Sequence, residues 1–490
     1  MKRLAHAKPE TVVFRWNGHE IEGRAGDSIA AALYAAGIRT LVRSRKYHQP
    51  RGLSGSFIGT VLARVDGRPN VRLDLEIIRP GLDVRIQNVW PSAETDLLSL
   101  ARLLPTRWLY AGFEHSSRVP DRSPIYAMWE SCLSNLAGMA DPPDRDLPSG
   151  RIPGQIISTD VAVIGGGPAG CEIANRTVAA GSRVVLITRG ARLGRFSQWM
   201  TGLEPVIDPR VQVFTEMEAF GLYRRGTLLA CAPHRHDQPA VIIASKQTVL
   251  ATGLRSCPPL VPGNALPGVL DAHVALELAQ TYAVAPGRDV FVVGTGSEDQ
   301  LAARLGNFGI NVIGTAPVAR LRRIIGRDQV AGMETDQRFE CDCVIHAGPW
   351  RNDPNLFFQG SATGLLQLAL GKEPREITVS GSAVQRPESV VVGSEPDGLA
   401  FVCPCMDVTW GEVAYHCERG HHDLEVLKRL TACGMGPCQG TPCWDLMAAA
   451  LAGVTGALPE SLGSPSFRDP RRAITVAQAA GLDGLVEPDR

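Results

Sequence analysis

Four cysteines in two closely spaced pairs carry the clearest chemistry in this sequence. The first pair is Cys403-Pro-Cys405, and the second is Cys438-Gln-Gly-Thr-Pro-Cys443. Four thiolates are the ligand set of a [2Fe-2S] cluster and also of structural zinc, so the number of ligands leaves both metals open. We expect these four cysteines to converge on one metal centre, and a nucleotide-binding pattern earlier in the chain favours iron.

The residues between the two pairs have helical character. Thr409 is the expected N-cap of a first helix, with Glu412 as its capping-box partner, and a second helix is expected over Leu424–Leu430. Two short helices would bring the pairs together. Four other residues of metal-binding type in this stretch are predicted to pack or to face solvent: Cys417, Cys433, His421 and His422.

The remaining cysteines lie in or near apolar stretches, where a free cysteine behaves as a small hydrophobic residue. They are Cys132, Cys171, Cys231, Cys257, Cys341 and Cys343.

Free thiols persist in a reducing compartment, and the first residues lack the apolar core of a signal peptide. No uncharged apolar run is long enough to cross a membrane. The sequence therefore predicts a cytoplasmic protein without a transmembrane segment.

A glycine-rich turn follows the apolar run Asp160–Ile164 and precedes a helical stretch. Strand, glycine turn and helix in this order are typical of dinucleotide binding, because the backbone can approach a pyrophosphate at the N-terminus of the helix. We expect cofactor contacts from Gly165, Gly167, Pro168, Ala169 and Gly170.

The end of the second strand departs from this pattern. A carboxylate is expected there to bind the ribose, but the sequence has Thr188 followed by Arg189. A hydroxyl can still bind ribose, and Arg189 could meet a phosphate or an adenine face. Thr252 and Gly253, in a later strand-and-loop, are expected to close over the dinucleotide. We predict FAD here and leave NAD or another adenine nucleotide open.

A second strand-turn-helix pattern begins at Asp289, within a unit of about 285–345, but Asp299 replaces its third glycine. A carboxylate at that position disfavours an anionic pyrophosphate, so we expect this unit to be structural. Cys343–Gly348 and Ser389–Gly393 are expected to be late strands that return to the first nucleotide-binding domain, the one with the glycine turn at Gly165. This core contains no C-x-x-C or C-x4-C pair, which argues against a dithiol reductase.

Length and charge limit the function classes. A chain of 490 residues should divide into several domains. Lys plus Arg and Asp plus Glu both total 50. Because no long basic or acidic run occurs, nothing indicates binding to nucleic acid or to an anionic membrane.

Two resemblances extend these expectations. Val402–Thr409 and Leu427–Cys443 resemble the bacterioferritin-associated-ferredoxin type of [2Fe-2S] domain. From residue 10 to 475 the chain resembles the alpha subunits of heteromeric amine and imino-acid dehydrogenases, a family that includes sarcosine oxidase alpha, opine, proline and hydroxyproline dehydrogenases and hydrogen cyanide synthase. The segments that carry this second resemblance are Gly26–Leu33, Arg43–Gly52, Val65–Asn70, Gln87–Pro91, Ala111–Phe113 and Ala219–Tyr223.

The resemblance implies an N-terminal ferredoxin-like domain that has lost its own cluster. Where related domains carry four cysteines, this chain has Leu53, Ile58, Val61 and Asp74, and its first cysteine is Cys132. We expect a docking or nucleotide-covering element filled by apolar side chains. Nearby, Lys46, Tyr47, His48 and Arg51 would serve an interface or a flavin phosphate, with a solvated loop as the alternative.

The implied fold class is α/β. It comprises a two-dinucleotide-binding-domain flavoprotein core of disulfide-reductase type, an N-terminal ferredoxin-like α+β domain and a small C-terminal helical [2Fe-2S] domain. The expected boundaries are 1–95 for the ferredoxin-like domain, 96–157 for a connecting segment, 158–400 for the core, 401–460 for the [2Fe-2S] domain and 461–490 for a tail.

The resemblance also implies a function. The chain would be the electron-transfer alpha subunit of an FAD-dependent amine or amino-acid dehydrogenase or oxidase. The substrate would be oxidised on a beta subunit resembling D-amino-acid oxidases, so no catalytic residue is assigned in this chain. FMN between subunits is one further option, and an additional small subunit is another. The alternatives are a self-contained NAD(P)H-dependent flavin reductase and a non-catalytic zinc and nucleotide scaffold.

Overall fold

The structure is a computed structural model of the 490-residue chain. The residues that it describes are 3–55, 61–92, 95–103, 124, 151–223, 227–233, 235, 237–353, 355–360, 377–384, 388–393, 400–463, 465–466, 471–472 and 474–485. Cys132, Ile58 and the Ala111–Phe113 segment, all named above, lie outside these residues.

Twenty-five strands are present among the described residues. In chain order they are β1 (Thr11–Trp16), β2 (His19–Arg24), β3 (Val42–Arg43), β4 (Pro50–Arg51), β5 (Leu62–Val65), β6 (Arg68–Arg72), β7 (Asp83–Arg85), β8 (Gln155–Ile164), β9 (Val184–Ile187), β10 (Gln212–Phe214), β11 (Glu218–Tyr223), β12 (Thr227–Cys231), β13 (Val241–Leu250), β14 (Arg255–Ser256), β15 (Val269–Asp271), β16 (Val290–Gly294), β17 (Val312–Pro317), β18 (Arg323–Gly326), β19 (Val330–Glu334), β20 (Arg338–Phe339), β21 (Cys343–Ala347), β22 (Trp350–Arg351), β23 (Ile377–Val379), β24 (Phe401–Cys403) and β25 (Val408–Thr409).

The α-helices of the described residues are mostly short. They are α1 (Ile29–Ala35), α2 (Pro168–Ala179), α3 (Arg195–Thr201), α4 (Ala272–Gln280), α5 (Glu298–Gly306), α6 (Asn355–Gly360), α7 (Trp410–Cys417), α8 (Leu424–Thr431), α9 (Cys443–Thr455) and α10 (Val476–Leu482). Short 3-10 helices occupy Leu97–Leu103, Val318–Arg320, Gly381–Val384 and Pro459–Ser461. None of the helices described is long and apolar enough to span a bilayer.

The chain forms two compact units, each built from separate stretches of sequence. The first unit comprises Met1–Leu147, Ser256–Pro349 and Ser389–Pro465, and the second comprises Pro148–Arg255, Trp350–Glu388 and Ser466–Arg490.

The first unit begins with a five-stranded sheet in the order β2-β1-β7-β5-β6. Alternate residues of β1 are buried, as expected for a strand with one face on the core. The apolar helix α1 begins at the N-cap Ser28, whose hydroxyl accepts a hydrogen bond from the Ala31 N–H at 3.2 Å. Leu53 and Val61, at the former ligand positions, are buried, and Asp74 pairs with Arg72. Two of the four former ligand positions therefore hold buried apolar side chains.

The second unit contains a sheet in the order β10-β9-β8-β13-β12-β11, with β23 also beside β13. The strands β8, β9, β10 and β13 are parallel, and α2 connects β8 to β9. The buried end of β8, Val161–Ile164, packs in the middle of the sheet. Since the carboxyl ends of parallel strands share one edge, this topology places the glycine turn after β8 beside the end of β9.

The prediction for the two late strands was wrong. Cys343–Ala347 forms β21 in the other unit, between β15 and β16 of a four-stranded parallel sheet. Val392, within the predicted Ser389–Gly393 strand, bridges to Leu260 in that unit, and the strand that joins β13 is β23. An all-apolar run indicates a buried strand but carries no information about which sheet it joins.

The cysteine module, defined here as residues 400–463, belongs to the first unit. The β24–β25 hairpin leads into α7, α8 and α9, so the two predicted helices are present. Its apolar core is shared with Cys257 and Leu260 of the same unit. The short hairpin and helices give the chain the sharp changes of direction that bring distant cysteines together.

A four-cysteine centre and a nucleotide-binding turn

Each of the four predicted ligands comes from a different local structure. Cys403 ends β24, and Cys405 lies in the following turn. Cys438 lies in the loop after α8, and Cys443 is the first residue of α9. Every one of these positions is at an element end or in a turn, where the backbone can direct side chains toward a common point.

The four sulfurs converge. Sγ–Sγ distances are 3.3 Å from Cys403 to Cys405, 3.1 Å from Cys405 to Cys438 and 3.3 Å from Cys438 to Cys443. All four Sγ atoms lie within 4.8 Å of one another. Cys405 is 6% exposed, and the other three are 0% exposed.

The donor set fits a soft metal centre. Four sulfurs without an oxygen or nitrogen ligand are typical of zinc or an iron–sulfur cluster and exclude the hard cations. Hydrogen bonding to Cys403 and Cys438 raises the pKa of Cys405 well above its ordinary value. Burial, together with the neighbouring sulfurs, does the same for the pKa of Cys443. A bound cation would reverse this effect by stabilising the thiolates.

A fifth thiol also touches the centre. Cys433 is fully buried, interacts with the Cys403 side chain and points its Sγ toward the Cys443 carbonyl oxygen at 3.8 Å. The sequence analysis correctly predicted that it packs, but not that it packs against a ligand. Its position five residues before Cys438 was the available signal.

Asp407 anchors the turn that carries Cys405. Its fully buried carboxylate accepts hydrogen bonds from the Lys46 N–H at 2.9 Å, the Tyr47 N–H at 2.8 Å and Arg51 Nη2 at 2.7 Å. Burial lowers the pKa of Arg51, and the adjacent Asp407 opposes that shift. The ferredoxin-like domain therefore holds the cysteine module through a loop, residues 43–53, which we call the clamp loop.

A second ion pair joins the same two segments. Lys46 Nζ donates to Glu412 Oε2 at 2.5 Å, and burial raises the pKa of Glu412 to about 7. The capping-box prediction was half right, because Thr409 Oγ1 accepts from the Glu412 N–H while the Glu412 carboxylate turns to Lys46.

The predicted roles of the clamp loop are corrected by these contacts. His48 is also buried and pairs with Asp96 Oδ2 at 2.8 Å. Tyr47 packs edge-on against Phe401. The segment is therefore not a solvated loop, because its side chains are engaged in contacts within the unit.

In the second unit, the glycine turn has the geometry that phosphate binding requires. Gly165 has φ +117°, and a side chain there would collide with the Ala251 carbonyl. A side chain at Gly170 would collide with the Gly165 carbonyl oxygen, so close helix-to-turn packing needs glycine. At Gly167, the N-cap of α2, an added Cβ would have no atom within 4 Å among the described residues. This open space fits an approaching pyrophosphate at the helix N-terminus, where Pro168 and Ala169 follow.

Two predicted cofactor residues lie at the end of the second strand of this sheet. Thr188 follows β9 and lies against Gly166, while Arg189 is 61% exposed with Nη1 3.9 Å from Glu218 Oε1. Thr252 and Gly253 follow β13, and Gly253 has φ +72°. The predicted cofactor residues therefore surround one edge of the sheet.

In the second glycine turn, a nearby carboxylate already occupies a backbone N–H that a phosphate would need. Glu298 Oε2 accepts a hydrogen bond from the Gly296 N–H at 2.7 Å. Asp299 Oδ1 accepts from Thr315 Oγ1 at 2.7 Å. The Glu298 carboxylate thus takes the place at the start of α5 where a phosphate would bind. The sequence analysis singled out Asp299, but the residue that binds the turn is Glu298.

Three family models match parts of the chain. A 2Fe-2S iron-sulfur cluster binding domain matches residues 9–89, pyridine nucleotide-disulphide oxidoreductase matches 159–324, and the sarcosine oxidase A3 domain matches 397–482. These matches correct the prediction for the C-terminal module in one respect: the family model named for a 2Fe-2S cluster lies at the N-terminus, and the C-terminal module matches the sarcosine oxidase A3 domain. The N-terminal domain nevertheless has no cysteine, and the converging thiols are C-terminal.

Curated relatives are found among oxidase subunits. The alpha subunit of sarcosine oxidase from Rhizobium meliloti (strain 1021) is 30% identical over 339 residues, which are 61% of this chain and 33% of that protein. An opine oxidase subunit of the same organism is 33% identical over 92 residues, 19% of each chain. This chain thus spans about a third of the sarcosine oxidase relative and a fifth of the opine oxidase relative.

The whole fold has a solved counterpart. The crystal structure of L-proline dehydrogenase from P. horikoshii superimposes with a TM-score of 0.73 at 21% sequence identity, covering 97% of this chain and 99% of that one. This match confirms the predicted α/β flavoprotein fold class.

The glycine turn generates a paired prediction. Gly170→Ala should lower the melting temperature and abolish adenine-nucleotide binding, because its Cβ would collide with backbone. Gly167→Ala should leave the melting temperature unchanged but still weaken binding, because its Cβ enters open space needed by the phosphate. Thermal unfolding and nucleotide titration measure the two effects. Equal loss of stability in both variants would contradict the assignment.

Asp407 generates the second prediction. Asp407→Asn removes the partner of buried Arg51, so we expect a loss of about 3 kcal/mol in unfolding free energy and faster hydrogen exchange at the Lys46 and Tyr47 amides. As a matched control, Asp336→Asn breaks an exposed pair with Arg322 and should cost less than about 1 kcal/mol. Similar losses in the two variants would show that the clamp loop does not depend on Asp407.

Proposed function

We propose that this chain, a homologue of the sarcosine oxidase alpha subunit, is the electron-transfer subunit of a heteromeric FAD-dependent amine or amino-acid dehydrogenase or oxidase. The single observation that carries the proposal is the convergence of four buried cysteine sulfurs within 4.8 Å in a chain with a flavoprotein-type fold. An oxidoreductase that passes electrons from a flavin to a thiolate-bound metal centre needs both a flavin-binding fold and a set of cysteine ligands.

The residues of the chain have distinct parts in this proposal. Cys403, Cys405, Cys438 and Cys443 would hold the metal centre. A [2Fe-2S] cluster supplies one-electron transfer when bound, whereas a flavin exchanges two electrons. Asp407 fixes the Cys405 turn, and burial of all four sulfurs excludes water. These features hold and orient a redox centre without supplying an acid or base for substrate chemistry.

The nucleotide site has a supporting part. The residues around the first glycine turn would bind the pyrophosphate and ribose of FAD, with NAD or another adenine nucleotide as the open alternative. They are Gly165, Gly167, Pro168, Ala169, Gly170, Thr188, Arg189, Thr252 and Gly253. The open space over Gly167 supports occupancy of this turn, and the Glu298 carboxylate argues against occupancy of the second one.

Substrate oxidation would take place on another chain. We assign no catalytic residue here, and we propose a beta subunit resembling D-amino-acid oxidases. FMN at the interface between subunits and a further small subunit are options within the same proposal. The donor class would be an amine or amino acid of the sarcosine, opine, proline or hydroxyproline type.

A cytoplasmic location also belongs to this proposal, because a reducing compartment keeps the thiols available to a metal. The domain boundaries at 95, 157, 400 and 460 remain predictions.

One observation favours a second candidate, a zinc-bound scaffold. Zinc–sulfur bonds of about 2.3 Å in a tetrahedron place the sulfurs about 3.8 Å apart. All four sulfurs here lie within 4.8 Å of one another, a spacing that a single tetrahedral zinc also fits. Metal analysis of the purified protein separates the two candidates.

The cysteine centre generates the third prediction. The protein purified without oxygen should be brown and contain iron and acid-labile sulfide, and Cys438→Ala should lose both. Cys417→Ala is the matched control, because Cys417 is also buried in the module but lies outside the four-sulfur set. A colourless wild-type protein that contains zinc would support the scaffold, and equal iron in both variants would remove Cys438 from the centre.

The closed second turn generates the fourth prediction. Because Glu298 binds the Gly296 N–H, neither NADH nor NADPH should reduce the flavin or the metal centre in anaerobic absorbance titrations. Dithionite serves as the positive control for reduction. Bleaching by NADH alone would instead support a self-contained NAD(P)H-dependent flavin reductase.

A further inference from the structure

The four cysteines differ in how they are covered. Cys403, Cys438 and Cys443 are fully buried, and they share the apolar core of the module with residues such as Val408 and Leu446. Cys405 alone among the four has exposed surface, at 6%. An electron that enters or leaves the centre therefore has its shortest described route to solvent on the Cys405 side.

Gly436, which is itself buried, packs directly against Cys405. A Cβ at Gly436 would lie 2.9 Å from Cys405 Sγ and 3.0 Å from Met406 Sδ. The backbone of Gly436 is thus in contact with the ligand sulfur, and no side chain larger than hydrogen fits between them. Because the chain neighbour of Gly436 is the exposed Met435, one buried glycine links the Cys405 sulfur to an exposed side chain, and the rate of electron tunnelling falls steeply with distance.

Two methionines and one arginine lie next to Gly436 and Cys405. Met435, next to Gly436, is 39% exposed. Met406 is half-buried, and Arg45 Nη1 lies 3.8 Å from its Sδ. Exposed thioethers adapt to varied contact surfaces, and a guanidinium attracts carboxylates. These four residues, Arg45, Met406, Met435 and Gly436, are called here the Cys405 edge.

We propose that the Cys405 edge is where a redox protein docks and exchanges electrons with the four-cysteine centre. The partner that fits presents an apolar contact patch bordered by carboxylates, complementary to the methionines and Arg45. This inference rests on the proposed function, because it requires an iron-containing centre. In each transfer one electron passes between the centre and the partner's redox group, and no bond is formed or broken.

A kinetic experiment with charged small oxidants tests this route without the partner. The full chain, loaded with iron and sulfide and reduced by dithionite, is mixed with ferricyanide in a stopped-flow spectrometer, and each ferricyanide takes one electron to become ferrocyanide. Met435→Glu and Arg45→Glu should each slow reoxidation about tenfold at low salt, because they repel the anion at the site of transfer. The slowing should disappear at high salt, where surface charges are screened.

The same experiment with hexaammineruthenium(III), a cationic oxidant, reverses the sign of the charge on the oxidant. The same two variants should accelerate its reduction, which a merely structural defect would not do. Matched controls are Val426→Glu, exposed at 38% on α8, and Arg429→Glu, on the same helix. Both should react at the wild-type rate, and all variants should keep wild-type iron content and absorbance.

The outcomes separate this inference from the proposed function. Equal reoxidation rates in all variants, or equal changes in the α8 controls, would overturn the inference that electrons pass through the Cys405 edge. Neither result would count against the iron centre. A wild-type chain that takes up no iron would overturn both. Opposite effects on the two oxidants, confined to Arg45 and Met435, are the result that supports the inference.

Discussion

The energetic constraint on which the first unit depends is the burial of four sulfur ligands in an apolar core. A thiolate is costly to bury without a compensating cation, and here four sulfurs lie within contact distance of one another. Burial is the first cause of the raised pKa of Cys443, which expresses that cost. A soft metal cation removes it by binding the deprotonated form, so the fold of the module and the presence of its metal are thermodynamically linked.

The ferredoxin-like domain contributes to the structure through its contacts with the cysteine module. It lacks thiols before Cys132, and apolar Leu53 and Val61 occupy former ligand positions. Its clamp loop instead supplies two backbone N–H groups and the Arg51 guanidinium to Asp407. A fully buried carboxylate with three donors is well satisfied, which stabilises the turn that carries Cys405. A domain that matches a 2Fe-2S cluster binding model but contains no cysteine therefore supports the four-cysteine centre.

The two glycine turns show how one side chain decides whether a phosphate site is available. The first turn leaves open space over Gly167 at the start of α2. In the second, Glu298 already satisfies the Gly296 N–H, and a pyrophosphate would have to displace a carboxylate. The supersecondary structure is the same in both turns, so fold alone does not determine nucleotide binding.

The sequence by itself determined the ligand types, the glycine turn, the helices between the cysteine pairs and the loss of the N-terminal thiols, because these depend on residue identity and local spacing. Only the tertiary structure decided which sheet Cys343–Ala347 joins, that Lys46 and Arg51 pair with Glu412 and Asp407, and that Cys433 touches Cys403. The ion pairs join residues more than 350 positions apart, and β21 joins a sheet whose other strands are far from it in sequence. Their energies come from burial and from partners that local patterns do not encode, so they exist only once the unit has folded.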